Sequence, residues 1–100
     1  MNDHQSVEDS IITLTGSTFD ELVLQGDGPI AVEFMSYSCS HCGMIEPVLQ
    51  QAAAMLQSKE RVYRVNIAND PELAESLRIE GTPTIVLFQG GSEISRVEGP

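Results

Sequence analysis

Cys39 and Cys42, the two cysteines of this 100-residue chain, stand in Ser38-Cys39-Ser40-His41-Cys42, directly after the apolar run Ile30 to Met35 and at the head of a helical pattern. Two thiols separated by two residues in the first turn of a helix lie close enough to close a small disulfide ring, and the helix N-terminus stabilises a thiolate there. The thiolate is the species that attacks a disulfide. Thiol-disulfide exchange is therefore the leading chemistry. Two blander readings stay open on the residues alone. The pair is inert, or it is half of a zinc site, for which two cysteines and a nearby histidine give at most three of the usual four ligands. Glu33 is the second chemically informative residue, because it sits in the middle of an apolar run where a carboxylate is costly to bury.

The elements that must position these groups follow from pattern. Ser10 to Leu14 is β-prone, and Thr18-Phe19-Asp20-Glu21 has capping-box spacing ahead of Leu22, Val23 and Leu24, giving a strand and a short helix. Gly26-Asp27-Gly28-Pro29 breaks that helix, and Ile30 to Met35 reads as a central strand covered on both faces. From Ser40 to about Lys59 the residues Met44, Ile45, Val48, Leu49, Ala52, Met55 and Leu56 recur at helical spacing, which predicts one buried stripe on the longest helix. Met35, Met44 and Met55 read as core filling. Pro47 removes one backbone donor and kinks that helix without ending it. Arg61 to Ile67 alternates as a strand, Asp70-Pro71-Glu72 starts a short helix through Leu77, and Thr84 to Phe88 with Gly90-Gly91 and Glu93 to Glu98 makes a final hairpin. The order β-α-β-α-β-α-β-β predicts an α/β domain with helices against a mixed sheet.

Composition sets the bounds. One hundred residues at 41% hydrophobic content suit one domain with one core. Fifteen acidic against five basic residues give a formal charge of -10, so nucleic acid and anionic membranes are repelled. Residues 1–9 read as an acidic mobile tail with no cationic or apolar region of a signal peptide, and no run approaches the roughly 20 apolar residues that span a bilayer. The expectation is a cytoplasmic protein, where a lone cysteine pair is more often catalytic or metal-binding than structural.

The chain resembles thioredoxin from about Ser10 to Gly99. The stretches that carry the resemblance are Ile11 to Thr15, Phe19-Asp20, Ile30 to Phe34 leading into Cys39-x-x-Cys42, Met44 to Leu49, Val65-Asn66-Ile67, and Ile79 to Thr84 followed by Leu87-Phe88. The resemblance implies a thioredoxin fold over residues 10–100, with a central mixed sheet flanked by helices and, since the sequence stops at Pro100, no C-terminal helix. An apolar sheet face left uncovered in that way implies a weak homodimer.

The resemblance also implies roles. Cys39 is the nucleophile that opens a substrate disulfide, and Cys42 resolves the mixed disulfide. Glu33 stands where the family usually has an aspartate that accepts the Cys42 proton, and Arg64, near which the family commonly has a lysine, modulates its pKa; a purely structural Glu33–Arg64 pair is the other reading. Burial raises the Glu33 pKa, whereas Arg64 pushes it back down. Pro83 takes the place of a cis proline beside the cysteines, whereas on residue type alone an ordinary trans proline at a strand start is the favoured reading. Ser38, Ser40, Thr82, Pro83 and Gly99 form the substrate contact. His41 replaces the usual proline and favours the Cys39 thiolate, making the disulfide more oxidising, unless it is merely exposed. Met35 and Ser38 replace tryptophans, which leaves a smaller, more polar surface beside Cys39.

The implied activity is thiol-disulfide oxidoreduction on protein disulfides, with a thioredoxin-reductase-like donor or small thiols, no metal, and no cofactor beyond the redox-active disulfide. A non-catalytic binding module or redox sensor that uses the Thr82-Pro83 groove is the alternative.

Overall fold

A computed structural model describes residues 11–56 and 61–99; the expected tail 1–9 and the helix end near Lys59 lie outside these residues. Strand β1 (Ile12–Leu14) is followed by helix α1 (Gly16–Phe19), which widens into a π-helical turn at Asp20–Leu24, and by strand β2 (Pro29–Met35). Helix α2 (Ser40–Leu56), strand β3 (Arg61–Asn66), helix α3 (Pro71–Ser76), and strands β4 (Thr84–Gln89) and β5 (Ser92–Glu98) complete the order. It is the order that the pattern predicts.

The five strands form one mixed sheet in the order β1-β3-β2-β4-β5. β1, β3 and β2 run parallel, and β4 and β5 are antiparallel to their neighbours. β2 is central, and alternation sends its residues to two different cores. Ile30, Val32 and Phe34 join Leu14, Phe19, Val23, Val65, Val86 and Phe88 on one face. There the Phe19 ring lies 5.6 Å from Phe88 and 6.4 Å from Phe34, centroid to centroid. On the other face, Ala31 and Ile85 pack with Ile11, Ile45, Leu49 and Val62 under α2. The strand that delivers the cysteine loop is thus fixed from both sides.

Local chemistry sets the helix starts, and two differ from expectation. Thr18 does not begin α1. The helix starts three residues earlier, with Thr15 as N-cap, and Thr18 Oγ1 accepts the Thr15 N–H at 2.8 Å. Asp70 is the N-cap residue of α3, as expected, but its side chain makes no capping bond there. Its Oδ1 instead accepts the Gly16 N–H at 3.1 Å, placing a negative charge at the N-terminus of α1, where the helix dipole favours it. At the other end of α3, Arg96 on β5 donates to the carbonyls of Leu77 and Arg78 at 2.9 and 3.2 Å, which satisfies acceptors that the helix leaves free.

Gly90 and Gly91 turn the β4–β5 hairpin at φ of 61° and 82°, a region in which a Cβ clashes with backbone. A Cβ at Gly91 would also run into the Leu24 carbonyl, whereas one at Gly90 meets nothing. Gly91→Ala is expected to lower unfolding stability by about 2 kcal/mol or more and Gly90→Ala by roughly 1 kcal/mol. Urea midpoints of the two variants check this, and equal losses would mean that Leu24 yields without cost.

Candidate functional site

β2 ends at Met35, and the chain turns through Ser36, Tyr37 and Ser38 before α2 begins. Ser36 drives the turn. Its carbonyl accepts the Cys39 N–H at 3.0 Å, and its Oγ lies 3.0 Å from Ser38 Oγ. Cys39 stands just before Ser40, the first helical residue, and its Sγ accepts the Cys42 N–H at 3.1 Å. That is the position in which a sulfur anion gains both a hydrogen bond and the helix dipole.

Cys39 and Cys42 are joined in a disulfide with Cα atoms 5.3 Å apart, and the two sulfurs are unequally placed. Cys42 is buried, at 3% exposure, while Cys39 is half-buried at the surface. A cleft of about 320 Å³ opens beside them, lined by Met35, Tyr37, Cys39, Cys42, Glu46 and Arg64 among others. Among the described residues no group of three or more His, Cys, Asp or Glu is placed to hold a metal ion.

Glu33 and Met35 lie on the same face of β2, and Glu33 is opposite Arg64 on β3 and Ile85 on β4. Its carboxylate is almost fully buried, with 1% of the side chain exposed. Arg64 Nε is 3.4 Å from Glu33 Oε1, and Glu33 Oε2 is buried with no hydrogen-bond partner among the described residues. The opposing expectations for this group are resolved by that geometry. Burial raises the Glu33 pKa, and the attraction and hydrogen bond of Arg64 only partly offset it. Arg64 is divided: its Nη2 contacts both oxygens of Glu46 at 2.5 Å. For Glu46, burial raises the pKa, but hydrogen bonds from Gln50 and Arg64 outweigh it and bring the carboxyl below its ordinary value.

The other anticipated residues divide by location. Ser38, Ser40 and His41 are exposed around the start of α2. The Thr82–Pro83 bond is cis. Thr84 Oγ1 donates to the Gly81 carbonyl at 2.6 Å, and Gly99 N–H donates to the Pro83 carbonyl at 2.7 Å, so strand β5 and the proline loop are tied together. A Cβ at Gly99 would fall 2.7 Å from the Pro83 ring, which explains the glycine there.

One expectation is corrected. Met44 is not core filling: it is 73% exposed. The stripe that faces the sheet runs through Cys42, Ile45 and Leu49 at helical spacing, and Met44, two residues past Cys42, falls on the far side of the helix. The side chains of Val48, Ala52, Met55 and Leu56 lie outside the described ones. Tyr37, 77% exposed, lines the cleft beside Cys39. Glu46 was not singled out as a site residue. Its signal is its spacing, four residues after Cys42, which puts both on one helix face.

Comparison with known proteins agrees with this geometry. The Thioredoxin family model matches residues 10–100. Thioredoxin 1 of Nostoc sp. is 35% identical over 86 residues, covering 86% of this chain and 80% of the relative. The thioredoxin of Rickettsia bellii is 35% identical over 80 residues, covering 80% and 76%. The bifunctional thioredoxin reductase/thioredoxin of Mycobacterium leprae is 32% identical over 88 residues, which are 88% of this chain and 19% of that protein.

A carboxyl whose pKa is raised by folding binds its proton more tightly in the folded chain than in the unfolded one. Stability is therefore lost as pH rises from its ordinary value of 4.5 through the higher folded value. Replacing Glu33 by Gln removes that loss. The stability difference between Glu33→Gln and the parent is expected to move in favour of the variant as pH rises across this window and to level off above it. Urea titrations at several pH values check this, and a pH-independent difference would contradict the raised pKa.

Proposed function

Since the chain belongs to the thioredoxin family and is a thiol-disulfide oxidoreductase, with named relatives that are thioredoxins, we propose that Cys39 is its nucleophile and Cys42 its resolving thiol. The observation that carries this assignment is the unequal exposure of the two sulfurs at the head of α2. Only Cys39 presents surface to a protein substrate. In the reductive direction the Cys39 thiolate attacks a substrate disulfide; a Cys39–substrate S–S bond forms, the substrate S–S bond breaks, and the first substrate thiolate leaves and takes a proton from water. Cys42 then gives its proton to Glu33 through water and attacks Cys39. The Cys39–Cys42 bond forms, the second substrate thiolate leaves and is protonated, and two electrons have passed from dithiol to substrate. A raised pKa makes Glu33 a stronger base toward that proton than an ordinary carboxylate.

The remaining roles belong to the same proposal. An extended substrate segment lies along Thr82 and Pro83, with Ser38, Ser40 and Gly99 bordering it, and His41 favours the thiolate. The disulfide is the redox group, and no added cofactor takes part. Electrons come from a thioredoxin-reductase-like donor or small thiols. The fusion named in the Mycobacterium leprae relative supports a reductase as donor. The domain spans residues 10–100 behind an acidic segment 1–9, and the setting is cytoplasmic. Among the described residues no helix is long and apolar enough to cross a membrane.

Self-association completes the proposal. Leu87 on β4 and Val97 on β5 lie on one face of the sheet, 38% and 62% exposed, and a second copy covers them weakly. A weight-average mass that rises with concentration in sedimentation is expected; a constant monomer mass at high concentration would dismiss the dimer.

The catalytic assignment has a sharper test. Cys39→Ser is expected to abolish disulfide reduction. Cys42→Ser is expected to accumulate a mixed disulfide through Cys39 with a disulfide-bonded protein, read by mass after acid quench. A mixed disulfide formed through Cys42 in Cys39→Ser at the same rate would reverse the roles.

A further inference from the structure

Glu46 lies at the wall of the cleft, and its position has a consequence for the buried carboxylate behind it. Cys42, Glu46 and Gln50 succeed one another four residues apart on α2. Gln50 Nε2 donates to Glu46 Oε2 at 2.7 Å, which holds the carboxylate facing β3. Arg64 meets it there with Nη2 in contact with both Glu46 oxygens at 2.5 Å, while the same guanidinium offers Glu33 only its Nε at 3.4 Å. Glu33 keeps its second oxygen without a hydrogen-bond partner among the described residues. A single guanidinium is thus shared unequally between an acid that is one-third exposed and one that is buried.

We propose that Glu46 is a positioning residue: by engaging the terminal guanidinium nitrogen of Arg64 it holds that cation off Glu33 and leaves Glu33 free to take the proton of Cys42. The proton-transfer half of this rests on the assignment of Glu33 as proton acceptor; the placement of Arg64 does not. Among the described residues, the charged groups that face Glu33 are Arg64 from β3 and Glu46 from α2. Its neighbour on β4, Ile85, carries no charge, and Cys39 and Cys42 line the same cleft as Arg64 and Glu46. Without the Glu46 charge, Arg64 can turn to pair with Glu33 by two nitrogens, as guanidinium and carboxylate prefer. An opposite charge in direct contact favours the ionised carboxyl. Burial, which raises the Glu33 pKa, would then be opposed by an undivided cation. Direct repulsion between the two carboxylates acts in the same direction, so the test must separate it from the placement of Arg64.

The measurement is the titration of the Glu33 side-chain carboxyl by carbon-13 NMR in the reduced protein, alongside the pH profile of disulfide reduction. Glu46→Gln is expected to lower the Glu33 midpoint by about one pH unit, the size of effect expected from an adjacent opposite charge. Glu46→Asp, which keeps the charge, is expected to restore part of it. In an Arg64→Met background the shift from Glu46→Gln is expected to shrink, because only direct repulsion remains to be removed. A midpoint that does not move, or a shift of undiminished size without Arg64, overturns the inference. If the midpoint falls as expected but the pH profile of reduction stays in place, the placement of Arg64 by Glu46 stands and Glu33 is removed as the proton acceptor.

Discussion

Everything at this site depends on how the N-terminus of α2 is set against the end of β2. A sulfur at a helix N-cap gains the dipole and, here, the Cys42 N–H at 3.1 Å, but only if the helix begins at that residue and in that direction. The start is fixed by the serine turn after Met35, and the direction by β2. That strand is anchored through Ile30, Val32 and Phe34 in one core and through Ala31 in the other. A strand buried on one face alone would leave the loop at a mobile edge; a central strand with parallel and antiparallel neighbours does not.

The same rigidity makes the buried carboxylate tolerable. Glu33 interrupts a face that would otherwise be apolar, and taking a charge out of water costs several kcal/mol unless it is paired. The pairing supplied is incomplete: one oxygen is 3.4 Å from Arg64 and the other has no partner among the described residues. The fold is consequently less stable with Glu33 ionised than it would be with a neutral side chain. Arg64 is also engaged from the helix side by Glu46, whose carboxylate accepts from Gln50 in turn.

Most of the architecture could be read from the residues, because its signals are local. The apolar run Ile30 to Met35, the helical spacing after Cys39 and the Gly90-Gly91 turn each report on their own element, and the element order follows. What could not be read is what one element does to another. Thr18 and Asp70 both looked like caps of their own helices. Thr18 proved to be the third helical residue under Thr15, and the Asp70 carboxylate crosses to Gly16, fifty-four positions away in sequence. Met44 fits an apolar pattern but falls outside the stripe set by Cys42, Ile45 and Leu49, whose orientation is decided by the sheet beneath. The Arg64 pairing is the same kind of case. Its pairing with Glu33 was expected from the family resemblance, whereas Glu46 reaches it only once α2 is packed across β3.

The central claim is that Cys39 and Cys42 form a reversible intramolecular couple set by their place at the helix terminus. It is tested most directly by equilibrating the parent protein with defined glutathione mixtures and counting free thiols by mass after alkylation. The account predicts one two-thiol transition with no stable glutathione adduct, at a potential less negative than about -270 mV because His41 stands beside Cys42. Two thiols that stay free, or that carry glutathione at every poise without closing on each other, would contradict it.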